Sequence, residues 1–257
     1  MGLQKDKKLN KLMTLLPEGV AAPSSWFEYK GYSRQLVRKY VQGKWLVALG
    51  RGVYAHPTAD VNWQGLVLGI QQLAELPFHV GGISALNLEG YAHYLPLGGE
   101  KKYHLWGQAK VPAWVKAVTL KEELQFHTSK IFDSSDNEVA TAPSGVRDWV
   151  LQVSTPERAI MEVLYDVRGD AHSFTHAMEL FEGLTTLRPS KVNHLLQHCK
   201  SVKVKRLFLF MMEQFSYSWI KRVEIDRIDL GSGKRVVVKG GKLNKKYMIT
   251  VPETYAA

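Results

Sequence analysis

One stretch of this sequence, residues 33–54, restricts the possible folds most, because an amphipathic helix is followed there by a tight hairpin. Ser33 is a favourable N-cap, since its hydroxyl can accept a hydrogen bond from an unpaired first-turn amide. Apolar residues then recur at helical spacing and predict one buried stripe, formed by Leu36, Val37, Tyr40 and Val41. We expect Gly43 to end the helix in the left-handed conformation, which glycine adopts without a Cβ clash.

Two short strand-like runs follow the helix, residues 45–48 and 53–54, with a Gly-Arg-Gly bend between them. A basic helix with a hairpin behind it is the core of a winged helix-turn-helix, in which the helix enters the major groove and the hairpin contacts the neighbouring backbone. Residues 4–16 and 25–29 supply two more predicted helices. The sequence therefore predicts a DNA-binding domain over residues 1–57.

The rest of the chain, residues 58–257, predicts a second and larger domain. Residues 58–95 read as helical, and residues 101–153 read as short strands joined by loops. The Ser-Thr-Pro-Glu motif at 154–157 marks a helix start. Later helices are predicted at 171–182, 189–199 and 202–215, and strands in WIKRVEI, KRVVV and KYMITV. The expected fold class is α+β, an N-terminal winged helix-turn-helix followed by a larger mixed α/β C-terminal domain.

Composition indicates a packed protein that neither spans a membrane nor contains a disulfide. Of the 257 residues, 45% are hydrophobic, which is typical of a packed domain. No run of about eighteen apolar residues is present, so we expect no contact with a membrane, and the charged start does not resemble a signal peptide. Cys199 is the single cysteine, which excludes an internal disulfide and favours a reducing compartment. We expect a cytoplasmic protein.

The net charge of +10 is unevenly distributed along the chain. Residues 1–56 carry ten Lys or Arg against three acids, residues 57–199 carry eleven against sixteen, and residues 200–257 carry thirteen against five. Two basic ends that flank an acidic middle are expected of a protein that binds a polyanion. The alternative interpretation is that these lysines and arginines only form a surface exposed to solvent.

Basic residues in the C-terminal part alternate with apolar ones, so strands there would gather the charge on one face. This face and the helix before it could hold DNA, RNA or an acidic protein partner, and they could equally be solvated. The residues assigned to this second basic surface are Lys203, Lys205, Arg206, Lys221, Arg222, Lys234, Arg235, Lys245 and Lys246.

Patterns for catalysis and metal binding are weak. Two histidine pairs have the i, i+4 spacing of a chelating helix face, but a zinc site needs a third ligand and, for catalysis, a nearby base. Three acids on one predicted helix are explained by surface ion pairs with neighbouring arginines. No nucleophile motif is present. These patterns leave an enzyme possible without requiring one, and we expect no metal and no cofactor. The residues in question are His172 with His176, His194 with His198, and Glu157, Glu162 and Asp166.

Two segments of the chain resemble the AbiEi family, the antitoxins and transcriptional regulators of bacterial type IV toxin–antitoxin (abortive infection) systems. The first is GKWLVALGRGVYAHP at 43–57, which is similar to the wing of the family. The second is GSGKRVVVKGGKLNKKYMITVP at 231–252. The middle, with VSTPERAIMEVL, is similar to the antitoxin domain. The resemblance implies a repressor of its own operon whose C-terminal domain counteracts a nucleotidyltransferase-type toxin, without needing a stable complex with it. It therefore also implies that the protein has no catalytic activity.

The resemblance also implies which residues meet each partner. Either Arg34 or Arg38 would pair with guanine, and Gln35 would pair with adenine. Basic residues near the wing would contact phosphates. We expect double-stranded operator DNA with inverted repeats. The residues assigned to DNA are Ser33, Arg34, Gln35, Arg38, Lys39, Lys44 and Arg51. The second basic surface is assigned to neutralisation of the toxin.

Two other functions stay compatible with the sequence. One is a nuclease or nucleotide-processing enzyme that the winged helix directs to DNA, and it alone predicts metal-dependent cleavage of nucleic acid. The other is a regulator whose C-terminal domain senses a small ligand through its Trp and His residues, and it predicts ligand-dependent thermal shifts.

Overall fold

The computed structural model describes residues 2–58, 60–91, 102–132 and 138–255, with side chains from residue 7 onward. Helices and strands are both abundant in these ranges, which confirms the α+β class. The chain divides into two compact units. The first consists of the described residues of Met1–His79, Gly98–Thr128 and Thr141–Gln152, and the second of those of Val80–Leu97, Ser129–Ala140 and Val153–Ala257.

The first unit begins with the three helices and the hairpin that the sequence predicts. In chain order these are α1 (Gly2–Leu15), β1 (Ala22–Pro23), α2 (Ser24–Tyr29), α3 (Arg34–Gln42), β2 (Val47–Gly50) and β3 (Val53–Ala55). The antiparallel hairpin β2–β3, here called the wing, is completed by β1, which pairs with β3. The strand order β1-β3-β2 is that of a small winged-helix sheet.

The helix α3 begins and ends where predicted, but the backbone conformation at its end differs. The Ser33 hydroxyl accepts a hydrogen bond of 3.3 Å from the Leu36 amide, which confirms the N-cap. Gly43 closes the helix with φ −80° and ψ 5°, so the expectation of a left-handed glycine is wrong. The chain turns one residue later, because Lys44 adopts the left-handed conformation at φ 59°.

Aromatic packing holds α3 in place. Phe27 of α2 is fully buried and makes T-shaped contacts with Trp26 and with Tyr54 of the wing, at ring-centre distances of 5.1 and 5.6 Å. Val37 and Tyr40 are the buried residues of α3. Since this core occupies the inner side of α3, the other side of the helix faces solvent.

The winged-helix module packs closely on the helix that follows it, α4 (Trp63–Leu68). This helix continues as a π-helical turn, Gly69–Leu73. A Cβ on Gly65 would lie 1.7 Å from the Gly19 carbonyl oxygen, so only glycine allows this approach. The Ala21 amide donates a hydrogen bond of 3.2 Å to the Gly65 carbonyl. A boundary at residue 57 stays a prediction.

A sheet of five strands occupies the middle of the sequence. Its elements and the helices between them are β4 (Phe78–Val80), α5 (Gly82–Leu88), β5 (Lys102–Gly107), α6 (Ala113–Lys116), β6 (Glu123–Thr128), β7 (Val139–Pro143) and β8 (Val150–Ser154). The strand order is β6-β5-β4-β8-β7, and β5 and β6 are parallel. The sequence predicts β5, β6 and β8 and misses β4 and β7. The predicted helical run over 58–95 is interrupted by β4, and its residues 92–95 lie outside the described ranges.

The second unit contains four helices close to the predicted positions. They are α7 (Pro156–Asp166), α8 (Ala171–Glu182), α9 (Pro189–His198) and α10 (Val202–Met212). All residues of α10 from Val204 onward are buried, so this helix is the centre of the unit's core. Among the described residues, no helix has both the length and the apolar character needed to cross a membrane.

Two buried carboxylates of α7 are paired with arginines. Glu157 accepts hydrogen bonds from Nε and Nη2 of Arg188, at 2.9 and 2.7 Å. Glu162 accepts from Arg158 Nε at 2.9 Å and from the Gly82 amide at 2.8 Å. The two glutamate side chains are 2% and 0% exposed, so the interpretation as surface ion pairs is wrong for both. They join α7 to α9 and to α5.

The C-terminal segment is less regular than predicted. The expected strand WIKRVEI forms two 3-10 turns instead, Ile220–Arg222 and Ile225–Arg227. The Asn193 side chain donates to the Arg222 carbonyl and accepts from the Glu224 amide, and so takes the place of a strand partner. Among the described residues of this segment, β9 (Lys242–Asn244) and β10 (Ile249–Val251) form a ladder, whereas Arg235 and Val238 of the predicted strand KRVVV form isolated bridges.

Candidate nucleic-acid interface

The solvent-facing side of α3 carries four polar side chains. Arg34, Gln35, Arg38 and Lys39 are all exposed. The helical period explains this arrangement, since these positions fall opposite the buried stripe. The guanidinium groups are therefore not packed against the interior, as a DNA-facing helix requires.

Arg34 in the first turn of α3 forms an ion pair with Glu28 near the end of α2. The Nε of Arg34 donates a hydrogen bond to a carboxylate oxygen of Glu28. The two side chains are 82% and 43% exposed, so the pair lies on the surface. The hydrogen bond and the negative charge of Glu28 raise the pKa of Arg34 above its usual value. The guanidinium group stays charged, and its Nη groups are not used by this hydrogen bond.

A groove of about 370 Å³ lies beside α3 and the wing. Its charged lining comes from three arginines, Arg34 and Arg38 of α3 and Arg51 of the bend. The Ser24 amide donates a hydrogen bond of 2.9 Å to the Gly52 carbonyl, which ties the bend to the start of α2. The other lining residues are Ser24, Val41, Gly52 and Tyr54. Arginines predicted to read bases and to bind phosphate thus line one cleft.

Two other residues assigned to DNA flank α3. Ser33 is exposed, although its hydroxyl is already used as the N-cap. Lys44 is exposed just beyond the other end of the helix. The nine residues of α3 span about 13 Å, and Lys44 lies three residues beyond Val41, the last residue of α3 that lines the groove. A duplex would have to follow the length of α3 to meet both ends.

Arg206 does not belong to the second basic surface, to which the sequence assigns it. It is 3% exposed, and its guanidinium donates hydrogen bonds of 2.5 to 3.0 Å to three carbonyl groups, those of Leu230, Gly231 and Gly233. Burial and the charge of Arg235 lower its pKa. The residue holds the 230–233 loop against α10.

Two neighbouring lysines of α10 that the sequence assigns to the same surface are also drawn into the protein. Lys205 is 5% exposed. The Nζ of Lys203 donates to the carbonyls of Tyr165 and Val167, at 2.6 and 3.1 Å. Burial lowers the pKa of Lys203, although the nearby charge of Asp166 opposes this. The assignment to the second basic surface is wrong for Lys205, because α10 is buried from Val204 onward. Lys203 is half-buried, and its assignment stays a prediction.

The other six residues of the second basic surface are exposed. Lys246 forms an ion pair with Glu213, which offsets part of its charge. Residues 230–252 contain six Lys or Arg and no acid, so the segment is strongly basic. The exposed residues are Lys221, Arg222, Lys234, Arg235, Lys245 and Lys246.

Comparison with known protein families accounts for nearly the whole chain. The family model described as "Transcriptional regulator, AbiEi antitoxin N-terminal domain" matches residues 5–97. The model described as "Transcriptional regulator, AbiEi antitoxin, Type IV TA system" matches residues 100–252. The chain belongs to the AbiEi family. The resemblance based on segments 43–57 and 231–252 is thereby confirmed.

A solved structure has the same fold as this AbiEi protein. It is described as the crystal structure of the RV2827C protein from Mycobacterium tuberculosis, and its TM-score is 0.55. The alignment covers 90% of this chain and 86% of that chain, at 12% sequence identity. Such low identity supports the fold alone. No curated protein matches the chain.

The candidate interface includes residues that the sequence does not predict. The residues predicted to bind DNA do not include Glu28, although it is the single acid among residues 19–59. They also omit Ser24 and Tyr54, which line the groove. The isolated acid in a basic stretch was the available signal for Glu28. The groove residues depend on the packing of α2 on the wing, which spacing does not reveal.

The histidine pairs show local contacts in this AbiEi protein. His198 Nδ1 donates to the His194 carbonyl at 2.8 Å, one turn away on α9. His176 Nδ1 lies 3.6 Å from a Glu179 carboxylate oxygen. Cys199 is buried, and burial raises the pKa of its thiol to about 11. A neutral buried thiol is a poor metal ligand, since metals bind the thiolate.

Proposed function

We propose that this AbiEi protein binds operator DNA through its winged helix and represses its own operon. The observation that carries the proposal is the groove beside α3 and the wing, which Arg34, Arg38 and Arg51 line. Three cations on two adjoining elements fit the closely spaced phosphates and base edges of a duplex. Family membership as a transcriptional regulator and antitoxin supports the same function.

The expected contacts follow from side-chain chemistry. Arg34 or Arg38 would pair with O6 and N7 of guanine, and Gln35 with adenine, each pair contributing about 1–3 kcal/mol of discrimination. Phosphates would be bound by Lys39, Lys44 and Arg51. Removal of any of these side chains would lower the affinity for all DNA sequences alike. Two copies on inverted repeats would lie about one helical turn apart.

We infer that the C-terminal domain supplies the antitoxin activity and counteracts a nucleotidyltransferase-type toxin. Its strongest surface feature is the basic segment 230–252, in which Lys234, Arg235 and Lys245 are exposed and Val236 is 60% exposed. On this proposal, residues 1–57 bind DNA and residues 58–257 neutralise the toxin, with or without a stable complex.

We propose no catalytic role. A nuclease needs carboxylates that can reach a metal and a phosphate. Glu157 and Glu162 are instead buried and engaged with arginines, which counts against their use in catalysis. The test is incubation of the purified protein with DNA and RNA in the presence of magnesium or manganese. We expect no cleavage, and metal-dependent cleavage would favour the enzyme alternative.

The two functions can be separated in cells with full-length variants. Arg34→Ala with Arg38→Ala should derepress a reporter fused to the protein's own upstream region, while toxin rescue is retained. Lys234→Glu with Arg235→Glu should lose rescue of cells that express the neighbouring toxin and retain repression. A matched control is Lys110→Ala with Lys121→Ala, which removes two exposed cations of the first unit. The opposite pattern, at equal protein levels, would reverse the assignment.

A further inference from the structure

The position of Glu28 is unusual for a surface that meets DNA. Residues 19–59 contain six Lys or Arg and this one acid. A carboxylate close to DNA phosphates opposes binding to every duplex, whatever its sequence. Its negative charge therefore lowers the non-specific affinity for DNA. Any benefit to DNA binding must come from the residues whose positions it fixes.

In the structure, Glu28 positions the side chain of Arg34. Its carboxylate accepts a hydrogen bond from Nε of Arg34, in the first turn of α3. The turn that joins the two helices is well fixed, since the Gly31 amide donates to the Glu28 carbonyl at 3.0 Å and the Tyr32 hydroxyl donates to the Lys8 carbonyl at 3.0 Å. The pairing of Glu28 with Arg34 is thus set by two helices on a rigid connection.

The N–H donors of Arg34 determine how its ion pair with Glu28 affects the recognition of a base. A guanidinium has five N–H donors in a planar fork. With Nε engaged by Glu28, the end-on pair of Nη groups can donate to O6 and N7 of guanine. A side chain that is already held also loses less rotational freedom on binding. Arg38, one turn further along α3, has no carboxylate partner among the described residues, and its long side chain is free to follow phosphates.

We infer that Glu28 is a specificity-determining positioning residue. It holds Arg34 so that the Nη edge reads guanine, and its charge penalises complexes that rely on phosphates alone. This inference rests on the proposed DNA-binding function and assigns unequal roles to the two arginines of α3, with Arg34 reading a base and Arg38 binding the backbone.

The test starts from a pool of duplexes with about 20 randomised base pairs, enough for two half-sites. The full-length protein selects its preferred duplex, and fluorescence anisotropy then gives the Kd for that duplex and for versions in which each G·C pair is replaced by A·T. We expect one such replacement to weaken the wild-type complex about tenfold.

The variants then decide the role of Glu28. Glu28→Ala and Arg34→Ala should each remove the preference for that one guanine, and the double variant should lose nothing further. Arg38→Ala should weaken all duplexes alike. The matched control is Glu18→Ala, which removes another exposed acid and should leave the guanine preference intact. Glu28→Gln and a thermal unfolding curve for each variant check that the fold is retained.

Each outcome has a definite consequence. If Glu28→Ala keeps the guanine preference, or alters it only as Glu18→Ala does, the inference is overturned while DNA binding stands. If the wild-type protein selects no duplex, and Arg34→Ala with Arg38→Ala leaves its weak binding unchanged, the proposed function fails as well.

Discussion

Glu157 and Arg188 form a bidentate ion pair that joins α7 to the start of α9. Both Nε and Nη2 of the arginine donate to the carboxylate, and the Arg188 amide adds a third hydrogen bond of 2.9 Å. The carboxylate is buried, whereas the arginine is half-exposed. The pair therefore combines a desolvated acid with a partner that keeps contact with water.

This pair should make stability depend on pH. Burial would raise the pKa of Glu157, but the hydrogen bonds and charge of Arg188 outweigh burial and lower it. A lowered pKa in the folded state gives stability that is present above the unfolded pKa of about 4.3 and is lost as pH falls through the folded value. Arg188→Ala should cost about 2 kcal/mol at pH 7, less than a fully buried pair because the arginine is half-exposed.

The measurement for this prediction is urea unfolding of both proteins from pH 7 down to pH 3. The difference between wild type and Arg188→Ala should shrink below about pH 4. Arg168→Ala, which removes an exposed arginine of the same unit, should have little effect. A difference that is constant over the whole pH range would contradict the account of the pair.

Gly50 of the wing should not tolerate a side chain. A Cβ on this residue would lie 2.2 Å from the carbonyl oxygen of Ala117, at the end of α6. Gly50→Ala should therefore destabilise the protein by about 1–3 kcal/mol and displace the wing. Thermal unfolding and DNA anisotropy measure the two effects, with the exposed Ala48→Ser as control. Unchanged stability would show that the wing is not held by this contact.

Arg206 should stabilise the C-terminal segment. Removing it leaves three carbonyl groups of the 230–233 loop without their donor, so Arg206→Met should cost about 3 kcal/mol. Hydrogen exchange should accelerate at amides of residues 230–251, including Thr250, which bonds to the Arg235 carbonyl. Arg235→Met at the surface is the matched control. Equal protection in both variants would argue against this role.

Cys199 should be unreactive in the folded protein. Because the pKa of its buried thiol is about 11, only about one molecule in a thousand carries a thiolate at pH 8. Labelling with a thiol-reactive disulfide reagent should be slow in buffer and should rise steeply with urea, in parallel with unfolding. Rapid labelling without denaturant would mean that α9 and α10 open locally far more often than the packing suggests.

The winged helix could be predicted from sequence because its signals are local. Ser33 as N-cap, the apolar stripe of α3 and the glycines of the bend each act within a few residues. Gly43 ends α3 as predicted, but the left-handed conformation is displaced by one residue, to Lys44. Local patterns also placed α7 to α10 correctly.

The errors concern contacts between distant segments. Lys205 and Arg206 look like surface residues in sequence, but α10 is covered on every side, and loop 230–233 accepts the arginine's hydrogen bonds. WIKRVEI has a strand pattern, but it forms two 3-10 turns, and the side chain of Asn193, distant in sequence, hydrogen-bonds to its backbone. Glu28 and Arg34 come together only through the turn between α2 and α3.

The most direct test of the account is the affinity of the full-length protein for a duplex from its own upstream region, measured by fluorescence anisotropy at several salt concentrations. Arg34→Ala with Arg38→Ala should weaken binding about a hundredfold and flatten the salt dependence, whereas Lys110→Ala with Lys121→Ala should not. Equal affinities for the double arginine variant and the wild type would contradict the claim that α3 meets the duplex.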